Sequence, residues 1–269
     1  MKILHIITAL EKGGAETNLY RLTTNKINVY ENCVISLKKN CYYEKILIQN
    51  NIKVLSLNFK NIFLLPINLY KIIKFINIYR PNIINTWMYH SIFLSILIYP
   101  FINKRVVINW YIRHSTFDYR YTKIRTLVII YLSIIFSYLI PRKIVYNSIS
   151  GCKNHQKFKF SKKKSKIILN GYDSQEFVMQ SEKKYKFLDK NNLDNDTIIF
   201  GAIGRYRKQK NYENLIKLLG KYKKINKNFI CLFVGYGLNS QNKKIITLIT
   251  KYDVQNNIYL FDQVDNIVK

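Results

Sequence analysis

Acidic residues are scarce. The chain carries 15 Asp and Glu against 44 Lys and Arg, a formal net charge of +29. Such an imbalance points to an anionic partner: nucleic acid, a membrane surface or a phosphorylated substrate. Lys, Asn, Ile, Tyr and Phe all have A/T-rich codons, so base composition explains part of the lysine excess but not the shortage of acids. Cysteine is sparse as well. Cys33, Cys41, Cys152 and Cys231 are scattered with no C-x-x-C pair, which excludes a zinc module and a disulfide scaffold. It leaves buried, reduced thiols as the expectation. No apolar run reaches the roughly 20 residues of a membrane-spanning helix. The opening Met1–Leu10 is too short for a signal peptide and has no small-residue cleavage site, so it reads as a first strand.

What is present is a chain of 269 residues, 48% hydrophobic, enough to pack one large or two small domains. Apolar runs at Lys2–Thr8, Cys33–Leu37, Lys53–Leu57, Asn82–Thr86, Arg105–Ile112 and Lys143–Asn147 predict strands. Helical spacing appears at Ala15–Leu22, Tyr43–Asn50, Pro66–Tyr79 and Tyr89–Phe101. Alternation of the two predicts a parallel, doubly wound α/β sheet, which binds ligands beyond the carboxyl ends of its strands. A second series follows: strands at Thr197–Ile203, Asn228–Val234 and Ile258–Phe261, with helices at Tyr212–Tyr222 and Asn239–Tyr252. Ser181–Asp196 is polar and charged and reads as a linker or an exposed turn. Asp194-Asn195-Asp196 spells D-x-D, but it precedes a strand, whereas a metal pair should project from a strand's carboxyl end. A metal role is therefore rejected.

The organising stretch is Thr197–Leu215. An apolar run, read as a strand buried on both faces, ends at Gly204. Arg205 and Lys210 follow, and Asn211 stands where a helix begins. A helix N-terminus carries partial positive charge and free N–H groups, and two cations beside it suit a diphosphate. The plain alternative is that they are two cations among many. Gly13-Gly14 between the first strand and helix, and Gly235-Tyr236-Gly237 after a later strand, are weak signals of the same kind. His90 and His114 both fall just past predicted strands; His5 and His155 have no such placement.

These motifs resemble the family-4 glycosyltransferases of the GT-B fold. Gly204-Arg205, Lys210-Asn211 and Leu215 are similar to the family's G-R…K-G/N…L block. Gly13-Gly14-Ala15-Glu16 resembles its G-G-A-E opening, and Gly235-Tyr236-Gly237 its V-G-x-G. Asn147-Ser148, His155, Lys166, Ile168, Asn170-Gly171-Tyr172-Asp173 and Phe177 resemble the longest stretch of its pattern. The resemblance implies two Rossmann-like domains, residues 1–172 on the acceptor side and 173–269 on the donor side. It implies retaining transfer of a sugar from a nucleoside diphosphate sugar to a glycan or polyprenyl-linked acceptor, with no metal. Arg205 and Lys210 would grip the donor diphosphate, with Gly14 facing it across the cleft. His114 would approach sugar and acceptor. Gly13, Glu16, His90, Gly235 and Gly237 would be further contacts. The family's E-x7-E segment, whose acids meet donor sugar and ribose, has no counterpart here. The expectation is a truncated second domain with an incomplete donor pocket.

Two other stretches bear on partners. Ile124–Ile140 has no charge from Thr126 onward. A buried helix is its first reading, an interfacial membrane helix its second, a span its third. Lys153–Lys164 is basic with interleaved Phe158 and Phe160. It reads first as a solvated charge run, otherwise as a track for nucleic acid or for anionic lipid. The alternatives to an enzyme are therefore a basic binding protein or an inactive remnant. The expected location is the cytoplasm, including the inner membrane face.

Overall fold

A computed structural model describes residues 1–25, 29–59, 62–115, 122–171 and 181–264. The chain divides into two compact units, Met1–Gly171 and Tyr172–Lys269.

The first unit runs β1 (Lys2–Ile7), α1 (Gly14–Thr24), β2 (Glu31–Ser36), α2 (Tyr42–Gln49), β3 (Lys53–Ser56), α3 (Leu65–Tyr79), β4 (Ile83–Trp87) and α4 (Met88–Ile98). It continues with β5 (Val107–Ile112), α5 (Ile124–Phe136), β6 (Lys143–Tyr146), α6 (Ile149–Lys157) and β7 (Ser165–Ile167). Its seven strands lie in the order β3-β2-β1-β4-β5-β6-β7, with every pair parallel. The chain winds outward from β1 to β3, then crosses back to β4 and runs the other way. The order therefore reverses between β1 and β4, and their carboxyl ends open the crevice where doubly wound sheets take ligands.

Local sequence sets the boundaries. Pro66 lies in the first turn of α3, where its missing N–H costs nothing, and Arg80 closes that helix in the left-handed conformation. Ser148 caps α6, its Oγ accepting the Gly151 N–H at 3.0 Å. The central strands are buried on both sides, which is why they read as unbroken apolar runs. Leu4, Ile6, Ile35, Ile84 and Trp110 form one core with Ile72 and Ile76 of α3, Ile92 of α4 and Ile130 of α5. Ile7, Val34 and Trp87 form a second with Leu19 of α1 and Leu47 of α2. All four cysteines are free and buried. Among the described residues no helix is long and apolar enough to cross a membrane.

The second unit contains α7 (Ser181–Lys190), β8 (Ile198–Ile203), α8 (Tyr212–Tyr222), β9 (Phe229–Val234), α9 (Lys243–Lys251) and β10 (Ile258–Phe261). Its parallel sheet has the order β10-β9-β8. The core is Ile216 and Leu219 of α8, Phe229, Cys231 and Phe233 of β9, and Ile245 and Ile249 of α9.

Four expectations are corrected. Ser181–Asp196 is not a linker throughout, because Ser181–Lys190 is helical. Strand β8 is not buried on both faces: among the described residues it lies at the edge of its sheet, and Ile198, Phe200 and Ile203 remain exposed. The helix expected from Asn239 starts only at Lys243, after a turn in which Asn239 and Asn242 pair with neighbouring groups. Helix α5 is not wholly buried: Ile130 and Ser133 face the core, whereas Val128, Tyr131 and Ile135 face outward. Of the longest motif, Tyr172, Asp173 and Phe177 lie outside the described residues.

Candidate functional site

In the first unit the carboxyl ends of β1, β4 and β5 lie side by side. They gather Gly13 and Gly14, then Tyr89 and His90, then Arg113 and His114. Gly13 is the N-cap of α1 and Gly14 its first residue. The side chain of Glu16 folds back over Gly13, so a Cβ there would stand 2.5 Å from Glu16 Oε2. Gly14 is open, with nothing within 4 Å of where its Cβ would be. The first turn of α1 thus presents bare backbone at the crevice, with one carboxylate beside it.

At the end of β4 the chain turns into α4 through Met88, which adopts φ 73°. A left-handed conformation is uncommon for a residue with a side chain and marks a position held by its surroundings. The turn delivers Tyr89 inward and His90 outward. The Tyr89 hydroxyl pairs with His155 Nε2, and His155 Nδ1 meets the Gly151 carbonyl at 2.7 Å. That carbonyl can only accept, so Nδ1 carries the proton, Nε2 accepts, and the tyrosine hydroxyl donates. Burial lowers the His155 imidazole to about 4, which keeps it neutral.

His114 stacks on the other side of this arrangement. Its ring lies parallel to that of Tyr89, with centroids 5.6 Å apart and planes 9° apart. The residue as a whole remains exposed. Partial desolvation disfavours the imidazolium, and the charge of His90 opposes it further, so the His114 pKa lies below its ordinary value. Gly151 allows α6 to approach this loop, since a Cβ there would stand 3.3 Å from the His114 carbonyl oxygen. Asn154 Nδ2 holds the Ser115 carbonyl at 3.1 Å. Arg113 lies over the Trp87 ring at 4.8 Å and donates to Asn170 Oδ1 at 2.5 Å, tying the end of β5 to the Asn170-Gly171 motif. His155 and Tyr89 were missed as site residues from sequence. Their signals were His155's place in the longest motif and Tyr89's place beside His90 in Thr86-Trp87-Met88-Tyr89-His90.

In the second unit β8 ends at Ile203, and Gly204 turns the chain with φ 153°. Arg205 follows directly and is exposed. A short 3-10 turn, Lys208–Lys210, then leads into α8, with Asn211 as a left-handed N-cap whose side chain makes no capping bond. The methylenes of Lys210 lie against Gly204: a Cβ on Gly204 would come within 3.0 Å of Lys210 Cε. Tyr212 Oη donates to the Gly204 carbonyl at 2.9 Å. Arg205 and Lys210 therefore leave the chain at one end of β8, beside the N-terminus of α8.

The turn after β9 joins them. Gly235 has φ 144°, and a Cβ there would stand 2.2 Å from the Gly204 carbonyl oxygen, so only glycine fits. Gly237, with φ 79°, donates its N–H to Asp262 Oδ1 at 3.1 Å. Asp262 was not anticipated. Its carboxyl is held below the usual range by Asn239 Nδ2, at 2.9 Å, and by backbone N–H groups including that of Gly237. Asp194 and Asp196 lie before β8, at the opposite end of the strand.

A separate pocket of about 440 Å³ opens near the amino ends of β1, β2 and β4, lined by Met1, Ile3, Asn32, Ile83, Asn85 and Asn109. His5 and Tyr111 also line it, and Tyr111 stacks on Trp87 at 4.5 Å.

Residues 183–269 match the sequence model of the family described as Glycosyl transferases group 1. No curated protein matches the chain in sequence. Solved structures resemble it in fold. The Anabaena protein Alr3699/HepE, solved in complex with UDP-glucose, superposes with a TM-score of 0.81 at 16% identity, covering 100% of this chain and 70% of its own. A glycosyltransferase from Rickettsia africae gives 0.73 at 21% identity, covering 99% and 69%. Sucrose-phosphate synthase from Thermosynechococcus elongatus gives 0.73 at 12% identity, covering 99% and 71%. The chain thus has the α/β fold of the GT-B glycosyltransferases, and its second unit carries the sequence pattern of the group 1 glycosyl transferases.

Proposed function

We propose that this chain serves retaining transfer of a sugar from a nucleoside diphosphate sugar to a glycan or polyprenyl-linked acceptor, as in family 4. The observation that carries the reading is the end of β8. There Arg205 and Lys210 flank the N-terminus of α8, inside the segment that matches the group 1 family. Cleavage of the anomeric C–O bond leaves negative charge on the departing diphosphate. Two cations and the N–H groups of a helix N-terminus stabilise that charge where it develops. In the first unit, open Gly14 gives backbone access to phosphate. His114, neutral and stacked on a fixed tyrosine, supplies a hydrogen-bonding group for sugar and acceptor. The UDP-glucose bound by the Anabaena protein of like fold supports a nucleotide-sugar donor here.

Of the two aromatics in the basic stretch, Phe160 is buried in the core against His155 and offers bases no platform, while Phe158 is half-buried.

Titration calorimetry with uridine and guanosine diphosphates tests the proposal. Arg205→Ala and Lys210→Ala should each weaken binding about tenfold or more, the effect of one charge-assisted hydrogen bond. Unchanged affinity in both variants would place the diphosphate elsewhere and remove the basis of the reading.

A further inference from the structure

Helix α5 carries an apolar stripe on its outer face. Ile124, Val128, Tyr131 and Ile135 follow one another at steps of three and four residues, and Tyr138 and Leu139 extend the stripe into the turn after the helix. All are exposed, Tyr131 at 65% and Leu139 at 70%. The opposite face of the helix, through Ile130 and Ser133, already packs in the core. No charged residue interrupts the run from Thr126 to Ile140. The outer face of α3 differs, since Lys71 and Lys74 stand exposed among its apolar side chains. A continuous apolar stripe of this kind marks a contact surface.

The stripe has a basic rim at both ends. Lys123 and Arg125 are exposed at the start of α5, and Arg142 and Lys143 follow its end. The lysine-rich segment after α6 is fastened to the same end. Tyr138 Oη donates to the Lys159 carbonyl at 2.8 Å, the Ser161 N–H donates to Ser137 Oγ at 3.1 Å, and Lys164 Nζ donates to the Tyr138 carbonyl at 2.5 Å. These bonds hold exposed Lys157, Lys159, Lys162 and Lys163 near the stripe's end. From Tyr119 to Tyr172 the sequence contains no Asp or Glu.

We infer that α5 and this lysine segment form a docking surface for an anionic lipid bilayer. The helix lies in the plane of the headgroups, with its apolar stripe in the acyl boundary and its cations on the phosphates. Charge selects this occupant over a second copy of the chain. A twofold contact through the stripe would bring two basic rims together with no acids between them. Tyr131 and Tyr138 suit the boundary, with an apolar ring and a polar tip. At about 20 Å, by 1.5 Å per residue, α5 is too short to span a bilayer and long enough to lie on one.

The test is flotation of the full chain with vesicles of phosphatidylcholine alone and of phosphatidylcholine with phosphatidylglycerol, at low and high salt. It uses no nucleotide, so its result is independent of the sugar-transfer reading. Binding to the anionic vesicles only, weakened by salt, is the expected result. Val128→Ser/Tyr131→Ser/Ile135→Ser changes exposed positions only and should reduce that binding at least about tenfold. Lys159→Gln/Lys162→Gln/Lys163→Gln should reduce it about fivefold per charge and flatten the salt dependence. A fluorophore on Tyr131→Cys should shift to the blue on anionic vesicles; the four native cysteines are buried and leave the label to that site. Absent binding, equal binding to neutral vesicles, or undiminished binding by the stripe variant would each overturn the inference. So would a wild-type dimer in sedimentation that the stripe variant converts to a monomer.

Discussion

The Tyr89 hydroxyl donates to His155 Nε2, so a buried histidine on α6 fixes the aromatic ring on which His114 rests. Tyr89→Phe keeps the ring and removes the donor. It should cost about 1–3 kcal/mol in urea denaturation, the range for losing one partner of a buried hydrogen bond. Tyr89→Leu should also abolish the stack, visible as an upward move of the His114 pKa in proton NMR. A Tyr89→Phe variant as stable as the wild type would show that the bond contributes nothing.

Acid should weaken the first unit before any carboxylate effect. His5, buried between Asn32 and Trp87, and His155 both titrate near 4 when folded, against an ordinary 6.5. Burial is the main cause for each. Between those values the unfolded chain binds protons that the folded one does not. Stability is therefore full above about pH 6.5 and falls as pH drops toward 4, by up to about 1.4 kcal/mol per pH unit for each histidine. Thermal melts across that window measure the slope. His5→Gln and His155→Gln should each flatten it, and an unchanged slope in both would contradict the assignment.

Two glycines should respond in opposite ways. Gly235→Ala places a methyl on the Gly204 carbonyl in a conformation that suits only glycine, and should cost at least about 2 kcal/mol in chemical denaturation. Gly14→Ala meets nothing and adds a better helix former at the start of α1, so stability should hold or rise by up to about 1 kcal/mol. If Gly14 gives a diphosphate access to backbone, calorimetry should show weaker uridine diphosphate binding by this stable variant. Unaltered binding would leave Gly14 a turn residue only.

Much of this architecture was readable because parallel strands are short apolar runs and their helices show one apolar stripe. The run Cys33–Leu37 and the stripe Tyr212, Ile216, Leu219 are direct cases. Position after a strand placed His114, Arg205 and Lys210 at carboxyl ends. The failures have physical reasons. Helix α7 is so rich in Lys that it looks like a linker. Ser165–Ile167 follows four residues of lysine-rich chain and does not look like a strand, yet it pairs with β6. An apolar run does not say whether a partner layer covers it, so β8 and α5 were read as more buried than they are. The Tyr89–His155 bond spans α4 and α6, and no local pattern encodes it.

Gly235 packs directly on the Gly204 carbonyl, which brings the turns after β8 and β9 together. The loop that carries Arg205 is pinned on several sides: Gly204 N–H to the Val234 carbonyl at 2.9 Å, Tyr206 N–H to the Tyr236 carbonyl at 2.8 Å, and Tyr212 Oη to Gly204. The turns after β8 and β9 are in effect one rigid bracket. A diphosphate bound there as proposed would meet a backbone already set in place and would spend little of its binding free energy on ordering the chain. Association at this end of the sheet should then follow a single step, limited by encounter and not by a slow rearrangement of the loop.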